Sequence, residues 1–280
     1  MKKNLIILFF VSAVLCFGKT EGKDIRVVSL SPNMTEIIFA LSKEKCLVGR
    51  SNVCNYPEAA KKIPVAGPFG KPNVERIITL QPDYIICSAL QDKAMIKRFE
   101  QFNIKVIFLP AKSFDDYFKS LRVLGNILNC SERAELICQQ TKAELKKLKQ
   151  AADKIPEADK VKILFVISDM PLMTIGRDSF ITDMISLAGG VSVTAKYPKA
   201  YFTCALEWIL AHPPDILVFP KISENRVKEL VTHPGWKTLE AVKRDRMFYK
   251  INPDLLCRMG PRSIQGIKEL QKIFKSVKTK

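Results

Sequence analysis

Short apolar runs alternate along the chain with segments in which apolar residues recur every three or four positions. The runs have the length of buried strands, and they lie at residues 25–30, near residue 48, and at 84–87, 105–109, 162–167, 216–218 and 247–251. The segments with helical spacing lie at residues 34–41, 94–102, 179–187, 227–230 and 261–277. Strands that alternate with helices predict parallel sheets covered by helices on their faces.

One pattern occurs twice. Residues 74–86 and 206–218 both read V/L-E-x-I-I/L-x-x-x-P-D-x-I/L-I/V, and the copies are 132 positions apart. This spacing exceeds the roughly 20–50-residue period of solenoid repeats. In each copy the apolar residues after the glutamate predict a short helix, Pro-Asp ends it because proline cannot continue a helical ladder, and the next apolar run predicts a strand. We therefore predict two duplicated α/β lobes.

A single long helix is predicted between the two copies. Ser131 begins it as an N-cap residue with acidic side chains in the first turn, and no glycine or proline interrupts it before Pro156. We therefore predict a connecting helix at residues 131–155, an N-terminal lobe at 24–125 and a C-terminal lobe at 160–280.

Residues 1–18 have the pattern of an export signal. Two lysines precede an apolar run at residues 5–17, and Gly18 ends the run. A basic start, an apolar centre and a small residue at its end are typical of secretory signal peptides, and the run is too short to span a bilayer comfortably. Cys16 leaves lipid attachment open, although Leu15 is bulky where a lipobox normally has a small residue. We expect a periplasmic or extracytoplasmic protein, either free or lipid-tethered.

The chain is strongly basic, with 45 lysines and arginines, 28 acidic residues and a formal net charge of +17. Such a balance can indicate nucleic acid, anionic lipid or acidic ligands as partners. The lysines are scattered, with no run longer than two, so a solvated lysine-rich surface is the simpler interpretation. Export also argues against nucleic acid, and a nucleic-acid binder is an alternative supported by charge alone.

Residues suited to catalysis or metal binding are scarce. His212 and His233 each precede a proline, whereas a site built on imidazole needs three or more convergent ligands. Residues 67–72 lack the G-x-x-x-x-G-K-S/T spacing of a phosphate loop. Apart from Cys16 there are seven cysteines, an odd number without zinc-knuckle spacing, and no disulfide is predicted. We expect no catalytic residue, metal or cofactor; an enzyme acting on a nucleotide-linked substrate is the alternative.

Four loops are candidates for the walls of a binding cleft. They lie at residues 52–57, 68–70, 197–201 and 252–258, after predicted strands or before a repeat helix, and they contain aromatic and amide side chains. Ligands of wound parallel sheets bind beyond the carboxyl ends of the strands. Such a cleft suits a large, flat, partly polar ligand held by stacking and a few hydrogen bonds.

An ordered set of short motifs resembles one family of binding proteins. The motifs are RVVSLSP at residues 26–32, TE at 35–36, NYP at 55–57, NVERI at 73–77, PD at 82–83, Glu207, HPGW at 233–236 and PR at 261–262. They are similar to landmarks of periplasmic substrate-binding proteins of the helical-backbone type, which serve ABC importers for cobalamin, ferric siderophores and haem. The resemblance covers residues 24–275. It implies a non-enzymatic α/β protein with two Rossmann-like lobes, each with a parallel sheet, joined by one long α-helix.

Within this family the chain most resembles the cobalamin-binding branch, because of CNYP at residues 54–57 and the pair of Asp254 and Arg258. The resemblance implies a monomer that carries cobalamin or a related corrinoid as transported ligand, not as cofactor, to a membrane permease. The ligand-binding residues that it implies are Val53, Cys54, Tyr56, Phe69, Tyr201, Asp254 and Arg258. A ferric siderophore or haem is the alternative ligand, and the basic charge would favour an anionic one.

Glu75 and Glu207 open the two copies of the repeat. The resemblance implies that one carboxylate at the tip of each lobe docks on arginines of the permease. The alternative is a helix-dipole role, since a carboxylate in the first turn interacts favourably with the positive end of a helix.

Overall fold

The computed structural model describes residues 24–88 and 92–278, which form two α/β lobes, each built around its own sheet. The predicted export signal at residues 1–18, with Cys16, lies outside the described residues. Within the described part, no helix combines the length and the apolar character needed to cross a bilayer.

The first lobe is a parallel sheet covered by helices. Its strands are β1 (Val27–Ser29), β2 (Leu47–Ser51), β3 (Val65–Gly67), β4 (Tyr84–Cys87) and β5 (Lys105–Phe108). Its helices are α1 (Pro32–Ala40), α2 (Val74–Thr79) and α3 (Lys93–Gln101). All neighbouring strands are parallel, in the order β3-β2-β1-β4-β5. The central strand β1 is buried along its whole length, as expected for a strand covered on both faces.

Two helices lead from the first lobe to the second. α4 (Phe114–Ile127) is an additional helix beyond those predicted, and α5 (Ser131–Asp153) is the predicted connecting helix. α4 buries one face against the rest of the protein, formed by Tyr117, Phe118, Leu121 and Leu124. α5 continues unbroken for 23 residues because it contains no glycine or proline. The exact limits of the two lobes stay a prediction.

The second lobe has a sheet that is mainly parallel. Its strands are β6 (Val161–Asp169), β7 (Leu172–Ile175), β8 (Gly190–Ser192), β9 (Tyr201–Thr203), β10 (Ile216–Val218) and β11 (Met247–Phe248). Its helices are α6 (Phe180–Leu187), α7 (Leu206–Ala211), α8 (Glu224–Leu230), α9 (Pro234–Lys237), α10 (Glu240–Lys243), α11 (Pro253–Cys257) and α12 (Ser263–Lys278). β6, β8, β10 and β11 pair in parallel.

An antiparallel edge extends this second sheet. β6 continues to Asp169, the chain reverses at Met170-Pro171, and β7 returns antiparallel to β6. β9 then pairs antiparallel with β7, so Tyr201, which ends one of the predicted cleft loops, lies in a strand. The predicted alternation of strands and helices does not reveal this hairpin.

The aspartate of each repeat ties its turn to the first strand of its lobe. Asp83 accepts a hydrogen bond from the backbone N–H of Arg26 at 2.9 Å through Oδ2, and its own N–H donates to the Arg26 carbonyl at 2.8 Å. Asp215 does the same with Lys162, at 2.7 and 2.8 Å. The two lobes are therefore alike in this hydrogen-bonding detail as well as in the sequence pattern.

One apolar cluster passes through both lobes. It joins Ile37 of α1 and Leu121 of α4 to Cys138 of α5, and continues to Phe165 of β6 and Phe274 of α12. All five side chains are buried. The lobes therefore share a core behind the space that separates their sheets.

Candidate ligand-binding site

A cavity of about 350 Å³ lies where the two lobes face each other. Every strand of the first sheet is followed closely by at least one lining residue: Pro32 and Asn33 after β1, Val53 after β2, Phe69 after β3, Ser88 after β4 and Ala111 after β5. This is the position at which wound parallel sheets bind ligands.

The second lobe supplies the opposite wall. Lys221 follows β10, and Asp254, Cys257 and Arg258 belong to the α11 segment that follows β11. A volume of about 350 Å³ is at the lower end of the roughly 300–1,000 Å³ that is usual for ligand pockets. A large macrocycle would therefore be only partly enclosed.

Four of the seven predicted ligand-binding residues line this cavity: Val53, Phe69, Asp254 and Arg258. The Phe69 side chain is 46% exposed, which leaves a ring face open for contact. Its backbone N–H donates to the Asn52 side-chain oxygen at 3.0 Å, so the loop that carries the ring is tied to the preceding loop.

Arg258 connects the two walls. Its Nη1 donates to the Asn55 side-chain oxygen at 2.9 Å, and its Nη2 donates to the Val53 carbonyl at 3.3 Å. Nη2 also lies 2.8 Å from Oδ1 of Asp254, within its own lobe. The arginine therefore orders the 52–55 loop from across the cleft, in addition to its place in the cavity wall.

A buried ion pair lies behind Arg258. Arg262 donates from Nε to Oε2 of Glu36 at 2.8 Å and from Nη2 to Oε1 at 2.6 Å. Burial is the largest single influence on the pKa of Arg262 and lowers it, but the hydrogen bond to Glu36 and the nearby charges of Glu36 and Asp254 together outweigh burial and raise that pKa. The pair joins α1 of the first lobe to the start of α12 in the second.

Cys54, one of the predicted ligand-binding residues, does not line this cavity. Its side chain is fully buried inside the first lobe, where the sulfur lies 3.1 Å from the Ser51 hydroxyl and donates to the Ser29 carbonyl at 3.7 Å. These contacts hold the thiol within the first lobe, beside Ser29 and Ser51. Its neighbour Tyr56 also lies outside the cavity wall, with the Arg262 guanidinium carbon 3.8 Å from the ring centroid.

Tyr201 belongs to a different surface groove. That groove also contains Tyr197 and Trp208, whose ring centroids are 5.4 Å apart. Burial raises the pKa of the Tyr201 phenol. The structure therefore does not bring Tyr201 together with Phe69 in the lining of the cavity.

Nine of the thirteen cavity-lining residues are absent from the predicted ligand-binding set, among them Asn33, Lys221 and Cys257. The Cys257 thiol is free, and burial raises its pKa, which keeps it protonated at neutral pH. Asn33 and Lys221 each follow a predicted strand within a few residues, and this placement is the sequence signal that could have identified them.

The two proposed docking carboxylates differ in their surroundings. Glu75 in the first turn of α2 is exposed and forms an ion pair with Arg98 of α3. Glu207 occupies the corresponding place in α7, also exposed, and has no ion-pair partner within residues 24–88 and 92–278. The two glutamates therefore occupy equivalent helix positions in the two lobes, but only Glu75 has an ion-pair partner among the described residues.

Among the described residues, no group of three or more His, Cys, Asp and Glu side chains is arranged to hold a metal ion. His212 stacks on Trp208 with ring centroids 4.2 Å apart. The seven cysteines from Cys46 to Cys257 are unbridged.

Comparisons with known proteins agree with this architecture. An uncharacterised ABC transporter substrate-binding lipoprotein, YvrC of Bacillus subtilis, is 30% identical over 257 residues, which cover 90% of this chain and 80% of that protein. The vitamin B12-binding protein of Vibrio vulnificus is 28% identical over 282 residues, which cover 99% and 97%. The structure of the periplasmic haem-binding protein RhuT from Roseiflexus sp. RS-1 is similar with a TM-score of 0.78 and 26% identity, and the match covers 91% of this chain and 99% of that one.

The family model for periplasmic binding proteins matches residues 27–253, which include both sheets and the cavity-lining residues from Pro32 to Pro253. The match extends over most of the chain, and the relatives named above are similar along nearly their whole length. This chain therefore belongs to the periplasmic binding protein family.

Proposed function

We propose that the protein captures cobalamin or a related corrinoid in the cleft between its lobes and delivers it to a membrane ABC importer. The observation that carries this proposal is the cavity at the carboxyl ends of the strands, in a chain similar to a vitamin B12-binding protein over nearly its full length. Phe69 would stack on the face of the ring, while Asp254 and Arg258 would orient its polar edge.

Delivery requires a second surface. Glu75 and Glu207 stand at equivalent exposed corners of the two lobes, and we propose that they contact basic residues of the permease. Charge complementarity of this kind sets orientation and encounter rate more than affinity. The sequence pattern at residues 1–18 supports export. If the chain is a lipoprotein, as the name of YvrC says of that protein, Cys16 would carry the lipid.

Haem is the second candidate ligand, favoured by the similarity to RhuT and by the sulfur of Cys257 in the cavity wall. Iron ligation by cysteine uses the thiolate. Burial raises the pKa of Cys257, which disfavours the thiolate and therefore counts against this role. The balance of these arguments favours a corrinoid.

Titration of the purified protein with cyanocobalamin, haemin and a ferric siderophore in parallel tests the proposal. The expected result is a saturable calorimetric and spectral response to cyanocobalamin with a stoichiometry of about one. A response to haemin or the siderophore alone would replace the corrinoid with that ligand. A protein that binds none of the three would overturn the proposal.

A further inference from the structure

Asn33 carries an unsatisfied hydrogen-bond donor at the edge of the cavity. Its side chain is only 6% exposed, and its Nδ2 is one of two buried side-chain polar atoms without a hydrogen-bond partner among the described residues. A buried amide without a partner costs free energy, so its presence requires an explanation, and a bound ligand is one. Asn33 lines the cavity, which is where a partner could come from.

Contacts on either side of Asn33 fix its position but give its Nδ2 no hydrogen-bond partner. The hydroxyl of Ser31 accepts the backbone N–H of Ser88 at 2.8 Å, which joins the start of α1 to the end of β4. Glu36 lies one turn further along α1 and is fixed by Arg262 of the other lobe. The helix is therefore anchored on both sides of Asn33, so its amide is positioned before any ligand arrives.

Lys221 brings a second unused donor to the same cavity. It follows β10 on the opposite lobe, and its ammonium group has no ion-pair partner in the part of the chain that the structure describes. The nearby carboxylate of Asp254 is already engaged, 2.8 Å from Arg258. The cavity therefore offers a neutral N–H donor from one wall and a cation from the other.

We infer that Asn33 and Lys221 bind an oxygen acceptor on the edge of the transported ligand, a carboxamide or carboxylate oxygen. This inference rests on the proposed function, because it takes the ligand to be a flat macrocycle that enters the cleft edge-on. Asn33 and Lys221 are then specificity-determining residues, since a ligand without an oxygen at that edge would leave the buried amide unpaired.

Two variants with matched controls test the inference. Asn33→Leu removes the donor at similar volume, and Ser120→Ala removes the other buried polar atom without a partner, on α4 outside the cavity lining. Lys221→Met removes the charge but keeps the stem, and Lys97→Met does the same on α3, also outside the lining. Each variant is titrated with cyanocobalamin, haemin and haemin dimethyl ester, and its thermal midpoint is recorded.

Asn33→Leu is expected to weaken binding of the macrocycle that the wild type binds by about tenfold, a loss of about 1.4 kcal/mol. Its thermal midpoint should be equal to or above that of the wild type, because an unpaired buried amide is gone. If the acceptor is a carboxylate, Lys221→Met weakens the binding of haemin but not the binding of its dimethyl ester. If the acceptor is a carboxamide, Asn33→Leu weakens the binding of cyanocobalamin. The two control variants should bind as the wild type does.

Two results would overturn the inference in distinguishable ways. If the wild type binds cyanocobalamin and Asn33→Leu binds it equally well, the proposed function stands and the role of Asn33 is refuted. If the wild type binds neither macrocycle, the proposed function fails first, and the inference fails with it.

Discussion

Glu36 and Arg262 are 226 positions apart in the chain, yet two hydrogen bonds of 2.8 and 2.6 Å join their side chains. Both residues are almost completely buried, at 4% and 6% exposure. Together with Arg258 they form a charged contact between the lobes at the back of the cleft. Such a contact limits how far the lobes can separate, which agrees with the small motion expected for lobes joined by a rigid helix.

Glu36→Ala is expected to destabilise the protein by about 3–5 kcal/mol, because it leaves the Arg262 guanidinium buried without its partner. Urea unfolding measures the effect. Glu135→Ala is the matched control, since it breaks the exposed pair with Arg122 and should change stability little. Equal losses of unfolding free energy in the two variants would contradict the larger contribution expected of the buried ion pair.

Charge reversal at the two corners is expected to block delivery but not ligand binding. Glu75→Lys with Glu207→Lys should lower the apparent affinity for the reconstituted permease by about tenfold or more. Because Arg98 already pairs with Glu75, reversal of Glu207 alone should have the larger effect. Stimulation of permease ATPase activity by the loaded protein is the measurement.

Glu132→Lys, an exposed charge reversal on α5, is the control for the docking variants and should stimulate the permease normally. Full stimulation by the double variant would refute the docking role of both carboxylates.

Phe69→Ala is expected to weaken ligand binding about fivefold. Phe69 is 46% exposed, and loss of the further burial of its ring against a ligand corresponds to about 1 kcal/mol. Phe108→Ala is the control, because Phe108 is 48% exposed but does not line the cavity. Calorimetric titration compares the two, and unchanged affinity in Phe69→Ala would remove this ring from the site.

Cys257 is expected to react with iodoacetamide more slowly at pH 7 than a free cysteine does. Burial raises its pKa, the thiolate is the reactive form, and the rate should therefore rise as the pH increases from 7 to 9. Bound ligand should slow the reaction, because Cys257 lines the cavity. Mass spectrometry of the labelled peptides follows each thiol separately.

Cys130 supplies the internal control for that experiment. Burial also raises its pKa, and it is similarly half-exposed, but it does not line the cavity. Its labelling should be the same with and without ligand. Equal protection of both cysteines would indicate a general tightening of the protein instead of direct coverage of Cys257.

Local signals carried most of the fold prediction. The helix, Pro-Asp turn and strand of each repeat are set by neighbouring residues, and they are confirmed as α2 with β4 and α7 with β10. The long helix α5 could be predicted for the same reason. α4 is the exception: Tyr117, Leu121 and Leu124 recur at helical spacing on its buried face, and this signal could have identified the helix.

The site could be predicted only in outline, because its details depend on contacts between distant segments. Cys54 lies in a loop without periodicity, so the sequence gives no indication that its thiol faces inward. Glu36 fits the pattern of an ordinary helix residue, and its partner comes more than two hundred positions later. Asn33 follows a turn, and its unpaired amide becomes evident only in three dimensions.

The apolar cluster from Ile37 to Phe274 belongs to both lobes, so the lobes cannot be separated without exposing part of it to water. Either lobe, expressed by itself, would expose a large apolar surface to water and would be prone to aggregate. A single lobe as ancestor would have exposed the same apolar surface and would have needed a second copy of itself to cover it.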